Sequence, residues 1–257
     1  MAKKGEVFER YELKYILTRE DYEYFKEAVK GHMQVDQFGI STIQSIYYDT
    51  KDSLLIRRSL DKPIYKEKLR LRSYGLVKEG QPCFLEMKRK AEGLVYKRRI
   101  SMLEQDAMDF MNKKNDGPDK QIARELKYFR DYYGDLEPKI LIIYERESYF
   151  EPNGGEVRVS FDFNPRFRTT DLNLHTNLDG RFLLDEDTVL LEIKVLHNMP
   201  LWLTKILSEG HIKKGSFSKY GQAYKLIKEN ENKKKEVQTR KEGRELWSYS
   251  KRYSPTA

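Results

Sequence analysis

A single cysteine, Cys83, is all the thiol this chain carries in 257 residues. One thiol cannot build an intrachain disulfide framework, which fits a reducing compartment, and a cytoplasmic location is expected. Long apolar runs are also missing. The longest, around Ile140-Leu141-Ile142-Ile143, is strand-sized, far below the roughly 20 residues needed to cross a bilayer. No apolar stretch follows Met1-Ala2-Lys3-Lys4-Gly5, so no secretory signal is expected. The phosphate-cradling patterns G-x-x-x-x-G-K-[ST] and G-x-G-x-x-G are absent, which leaves P-loop and Rossmann binding without support. His32, His175, His197 and His211 are scattered without metal-ligand spacing and read as structural or surface residues. Trp202 and Trp247 read as packing residues. Pro- or Ser-rich linkers and internal repeats are lacking too, which favours one main domain.

Charge is abundant. Lys and Arg number 49 against 41 Asp and Glu, giving a net charge of +8 and a pI near 9.2. Charged residues make up 35% of the chain, above the usual quarter. A basic balance points to anionic partners, whether nucleic acid, acidic membrane or phosphorylated small molecules. Aromatic residues, at 12%, supply much of the apolar volume for a core.

Hydrophobic periodicity predicts an α+β fold of antiparallel strands with peripheral helices. Val7 to Leu17 reads as a strand. Thr18, with Asp21 three residues on, opens a helix striped by Tyr22, Phe25 and Val29. Ile43 to Tyr48 is β-branched and aromatic, hence a strand. Residues 65–73, 83–90 and 94–101 alternate with period two and form a meander. Residues 104–113 and 119–133 turn helical. Residues 139–150 and 156–163 flank Asn153-Gly154-Gly155, a hairpin signal. A strand at 188–196 and a helix near 201–207 follow. Ser218 is a plausible N-cap for a last helix. The organisation expected is a basic leader at 1–5, a domain at 6–229 and a charged tail at 230–257.

The informative feature is strand parity. Lys66, Lys68, Arg70 and Arg72 share one strand face, opposite Leu69 and Leu71. Glu86, Lys88 and Lys90 oppose Leu85 and Met87. Arg10, Glu12 and Lys14 oppose Tyr11, Leu13 and Tyr15. Arg158, Ser160 and Asp162 oppose Val157, Val159 and Phe161. Glu192 and Lys194 oppose Leu191 and Ile193, and Tyr144 shares parity with Arg146. One such strand is simply a sheet with a solvated face. Several strands carrying long, mostly basic side chains are harder to explain that way. Like charges about 7 Å apart repel by about 2–3 kcal/mol at an effective dielectric near 20, and much less when exposed. An enclosed face needs acids and a polyanion to neutralise it. The pairs Glu12/Lys14, Glu86/Lys88 and Glu192/Lys194 supply acids, which are also hard oxygen ligands for Mg²⁺ or Mn²⁺. Dispersed Arg and Lys suit the non-bridging oxygens of a triphosphate or polyphosphate, and phosphoryl transfer asks mainly for positioning and electrostatics.

The segments Arg10–Tyr15 (RYELKY), Ser45–Thr50 (SIYYDT), Lys68–Arg72 (KLRLR) and Phe84–Lys88 (FLEMK) occur in that order. Tyr144–Arg146 (YER), Arg158–Asp162 (RVSFD), Leu191–Lys194 (LEIK) and Phe217–Tyr220 (FSKY) follow. Together they resemble the VTC domain, the polyphosphate polymerase branch of the triphosphate tunnel, or CYTH-like, superfamily, over roughly residues 6–228. The resemblance implies an eight-stranded antiparallel barrel, the triphosphate tunnel. It implies a catalytic cationic wall of Lys14, Arg70, Arg72, Lys88, Arg146 and Arg158, with Lys219 from the last helix. Substrate contacts are implied for Tyr144 and Ser218, with Lys97 and Arg99 on the wall. Lys68, Lys194 and Arg10 join them as expected substrate-binding residues. Glu192 matches the metal-binding glutamate, with Glu12 and Glu86 as further expected ligands of Mn²⁺ or Mg²⁺. The implied reaction moves the γ-phosphate of ATP onto polyphosphate; hydrolysis of a triphosphate and non-catalytic polyanion binding are the alternatives.

The chain departs from the family at two places. Arg10 stands where the wider superfamily often has a first glutamate. Ser216 stands where another lysine can occur, with Lys213 and Lys214 just upstream. The tail from Lys233 to Arg252 is basic and reads as solvated. Expected partners are ATP and polyphosphate or inorganic phosphate, without specific nucleic-acid binding. A separate membrane partner would be needed if product is exported.

Overall fold

The structure, a computed structural model, describes residues 11–92 and 94–252, with side chains through residue 240. The expected leader, the strand start at Val7–Arg10, Arg10 itself and the side chain of Trp247 lie outside the described residues. The elements run β1 (Tyr11–Leu17), α1 (Arg19–Ala28), β2 (Gln34–Thr50), α2 (Leu54–Leu60), β3 (Tyr65–Tyr74), β4 (Cys83–Ala91) and β5 (Leu94–Met102). They continue as α3 (Glu104–Met111), α4 (Gln121–Tyr133), β6 (Leu136–Phe150), β7 (Arg158–Arg168), β8 (Arg181–Phe182) and β9 (Val189–Val195). The chain ends with α5 (Leu201–Glu209), β10 (Lys214–Gly215) and α6 (Lys219–Arg252).

Local chemistry explains several boundaries. Thr18 and Asp21 form a reciprocal capping box, each side chain bonded to the other's backbone N–H at 3.1 Å. The N-cap of α2, Ser53, sits at φ 60° and makes no side-chain cap bond. Buried Asp49 caps this helix instead, accepting from Leu55 N–H at 2.8 Å and Ile56 N–H at 3.0 Å. Strand β2 extends well beyond Ile43–Tyr48, because its first residues pair with the far end of β6 around an irregularity between Val35 and Ile40.

The α+β class and antiparallel pairing are as expected; the closed eight-stranded barrel is not. The described strands form one 10-stranded sheet in the order β10-β1-β9-β7-β6-β2-β3-β4-β5, with β8 attached to β7. No described ladder joins β5 to the β1–β10 limb, so the sheet remains open. It is nevertheless curled. Lys88 on β4 reaches Glu12 on β1 at 3.1 Å, although β9, β7, β6, β2 and β3 lie between them in the sheet. Long side chains bridge the limbs where backbone hydrogen bonds do not.

The convex face carries most of the core. Leu69, Leu71, Leu85 and Met87 pack under Phe110, Leu126 and Phe129 from α3 and α4. Phe161, Leu191 and Ile193 pack under Phe25 from α1 and Leu203 from α5. A third cluster lies on the concave side, where Tyr47, Ile142 and Tyr144 meet Ile56 from α2 and Tyr220 and Ala223 from α6. Helix α6 thus docks by its first turns and continues without a break past residue 229, the expected end of the domain. Trp202 stacks on His32 at 4.3 Å, which accounts for both as packing residues. Among the described residues no helix is long and apolar enough to cross a membrane.

Candidate functional site

Directly opposed residues in a ladder point to the same face. Across β3, β4 and β5 this places Arg72 beside Phe84 and Ser101, and Arg70 beside Glu86 and Arg99. Lys68 then stands beside Lys88 and Lys97, and Lys66 beside Lys90. All of these face the concave side.

Glu86 is the hub of this wall. Its side chain is 1% exposed and has four cations around it: Arg70 at 2.8 Å, Lys97 at 2.7 Å, Arg99 at 3.6 Å and Arg72 at 3.8 Å. Burial opposes its ionisation, but Arg70, Arg72 and Lys97 outweigh it and hold the carboxyl at about 2. Arg72 also donates to Ser45 Oγ at 3.1 Å and Tyr144 Oη at 3.2 Å, which fixes its fork.

A second hub is Asp162, 2% exposed. Arg146 grips it with both arms, at 2.5 Å and 2.8 Å, and Lys219 pairs with the same carboxylate. Burial pushes this carboxyl up, and Arg146 and Lys219 pull it below its ordinary value. The Lys219 ammonium also lies 4.2 Å from the centre of the Tyr144 ring. The first turn of α6 is pinned further. Lys68 donates to Ser218 Oγ at 3.0 Å, Lys14 to the Phe217 carbonyl at 3.2 Å, and Tyr220 Oη to Asp49 at 2.9 Å.

The third group joins β1 and β9. Lys14 lies 3.3 Å from Glu12 and 3.8 Å from Glu192, and Lys194 lies 2.5 Å from Glu192. Burial opposes ionisation of Glu192, and Lys194, Arg146 and Lys14 hold it well below the usual carboxylate range. For Glu12, burial and Glu192 push up while Lys88 and Lys14 pull further down. Glu12 and Glu192, two carboxylates close enough to feel each other, are hard oxygen donors of the type that would hold a Mg²⁺- or Mn²⁺-type ion. Such ions take one or two carboxylates and complete their shells with water and substrate phosphate. Glu86, also expected as a ligand, is more heavily paired: four cations compete with a metal for its oxygens, against two lysines each at Glu12 and Glu192. Among the described residues no group of three or more His, Cys, Asp or Glu side chains is arranged to hold a metal.

The structure therefore gathers Lys14, Lys68, Arg70, Arg72, Lys88, Lys97, Arg99, Arg146, Lys194 and Lys219 with Tyr144 and Ser218 on or against the concave face. Arg158 shares that face but is exposed, with its guanidinium 5.4 Å from the Phe150 ring centre. The positive charge is unevenly compensated. Lys66 and Lys90 oppose each other with no described ion-pair partner. Burial, then Lys90, Lys14 and Lys88, push the Lys66 ammonium below its ordinary value.

Three participants escaped the sequence reading as site residues. Asp162 shares strand parity with Arg158 and Ser160, but nothing local marks it as a two-cation anchor. Tyr47 faces Arg70, and only the β2–β3 register reveals that. Asp49 couples α2 to α6 through contacts remote in sequence.

Comparison with known proteins finds one family match and several distant structural likenesses. The family model described as the VTC domain matches residues 9–228. A candidate adenylate cyclase from Bacillus halodurans superposes with a TM-score of 0.50 at 13% identity, covering 80% of this chain and 92% of that one. One from Vibrio parahaemolyticus gives 0.48 at 14% identity, covering 84% and 97%. A candidate adenylyl cyclase from Hippeastrum, with a dominant triphosphatase activity, gives 0.48 at 15% identity, covering 81% and 92%. No curated protein matches in sequence. With the family match spanning nearly all of the described core, the chain belongs to the VTC domain family.

Proposed function

We propose that the concave face binds the triphosphate of ATP and passes its γ-phosphoryl group to a polyphosphate end, so that the protein is a metal-dependent polyphosphate polymerase. The observation that carries this reading is the Glu86 hub, where one buried carboxylate holds four cations beside a face lined with further lysines. An arriving polyphosphate finds its counter-charges already oriented, so little reorganisation is needed. Arg70 and Arg72 offer paired N–H donors to non-bridging oxygens, and Lys14, Lys88 and Lys219 add point charges. Tyr144 and Ser218 position Arg72 and Lys68.

In the transfer, an oxygen of the acceptor's terminal phosphate attacks the γ-phosphorus. The bond from that phosphorus to the β–γ bridging oxygen breaks, and ADP leaves with the electron pair. The acceptor is already anionic, so no proton need be removed. That suits a face on which Glu12, Glu86, Glu192 and Asp162 are all ion-paired rather than free as bases. A divalent ion held by Glu192 and Glu12 would add positive charge at the phosphates.

Purified protein incubated with ATP and Mn²⁺ or Mg²⁺, with products sized on a gel, tests the reading. Long chains and ADP are expected. Release of orthophosphate alone would replace it with triphosphate hydrolysis. Arg70→Ala combined with Arg72→Ala should abolish turnover, and full activity in that variant would remove the site assignment.

A further inference from the structure

The two ends of the β3–β4–β5 wall differ in chemistry. At one end the inward residues are Lys66, Lys90 and Val95, with no ring among them. At the other end, one step beyond Arg72, the wall turns aromatic. Tyr74 continues the inward parity of Arg70 and Arg72, and Phe84 directly opposes Arg72. The two rings meet edge to face, with centres 5.9 Å apart. The Arg99 guanidinium lies 3.4 Å from the centre of Phe84 and 5.8 Å from that of Tyr74. The same Arg99 reaches Glu86 at 3.6 Å.

This arrangement has an unused surface. Tyr74 is 43% exposed, so its ring is open to a ligand. Phe84 holds one face of the Arg99 guanidinium. An arginine guanidinium and an exposed tyrosine ring are both surfaces on which flat, π-rich bases stack. They adjoin the Glu86 cations, so a base stacked there would place its attached phosphates on Arg70 and Arg72.

We propose that Tyr74 and the Phe84-backed Arg99 form a stacking platform for the nucleobase of the nucleotide substrate. This orients the triphosphate from the aromatic end toward the lysine end of the wall. It rests on the reading of the Glu86 hub as a triphosphate site. Stacking does not depend on base-edge hydrogen bonds, so the platform takes purine nucleoside triphosphates broadly rather than adenine alone.

Isothermal titration of wild type and Tyr74→Ala with ATP, GTP and inorganic tripolyphosphate, in one Mg²⁺ buffer, tests this. Tyr74→Ala should weaken ATP and GTP about tenfold while tripolyphosphate changes less than about twofold. Tyr74→Trp should restore nucleotide binding. Because Tyr74 is exposed, the substitution does not threaten the core. Equal weakening of nucleotides and tripolyphosphate, or no change in either, overturns the platform while the triphosphate site stands. Phe150→Ala is the comparison, since that ring carries Arg158. Selective nucleotide loss there and not at Tyr74 also overturns the assignment. Wild-type protein that binds none of the three ligands overturns the platform and the proposed function together.

Discussion

Tyr47 Oη accepts a hydrogen bond from Arg70 Nη1 at 3.1 Å, while its ring stacks on Tyr220 with centres 4.9 Å apart. A phenol is thereby buried against a row of cations. Burial pushes Tyr47 up, but Arg70, Lys68 and Arg72 bring it down to about 7. Burial lowers Lys68, Tyr47 opposes that, and Lys14, Lys88 and Lys66 help carry it to about 8.

Both groups lose positive charge, or gain negative charge, as pH rises from 7 to 9. Polyanion affinity in wild type should therefore fall over that range relative to Tyr47→Phe, by about tenfold at pH 9. Comparing the two proteins cancels the ligand's own ionisation. Binding near pH 7.5 should take up protons, seen as titration heats that vary with the buffer. Identical pH profiles for wild type and Tyr47→Phe would show that the phenol does not ionise in this range.

Glu86→Gln leaves Arg70, Arg72, Lys97 and Arg99 facing one another without their shared carboxylate. Breaking a buried ion cluster on one side costs about 3–5 kcal/mol, so the unliganded variant should unfold at lower urea. Tripolyphosphate should then raise its melting temperature more than it raises that of wild type, since the ligand supplies the missing negative charge. The wild-type carboxyl is held at about 2 against an ordinary 4.5. Its stabilising contribution is thus present above that ordinary value and lost as pH falls toward 2. A Glu86→Gln protein as stable as wild type would deny the hub its organising role.

Glu192→Gln separates metal-assisted chemistry from anion binding. Turnover should drop at least a hundredfold, while tripolyphosphate binding in the presence of chelator is kept or strengthened, because a negative charge has been removed. Unaltered turnover would exclude Glu192 as a metal ligand.

Tyr220→Phe removes one bond to Asp49 but leaves that carboxylate its backbone partners at Thr50, Leu55 and Ile56. The expected loss is about 1–2 kcal/mol in urea unfolding. Asp49→Ala also uncaps α2 and strands the Tyr220 hydroxyl, and should cost more. Equal effects would mean that the α2 cap contributes nothing.

Much of this protein was legible in its residues. Alternation is a local property, so Lys66–Arg72 against Leu69 and Leu71 identified the two faces before any pairing was known. The Thr18–Asp21 cap and the Asn153-Gly154 hairpin were equally local. How the faces meet was not legible. The curl that brings Lys88 to Glu12, the burial that makes Glu86 a four-cation hub, and the docking of α6 that delivers Lys219 to Asp162 all join residues far apart in the chain. Sequence determined which side chains would be charged and which way each strand would turn them, because parity depends only on the backbone pleat. Tertiary structure decided which charges would be partnered, because ion pairing depends on distances set by sheet curvature and helix docking.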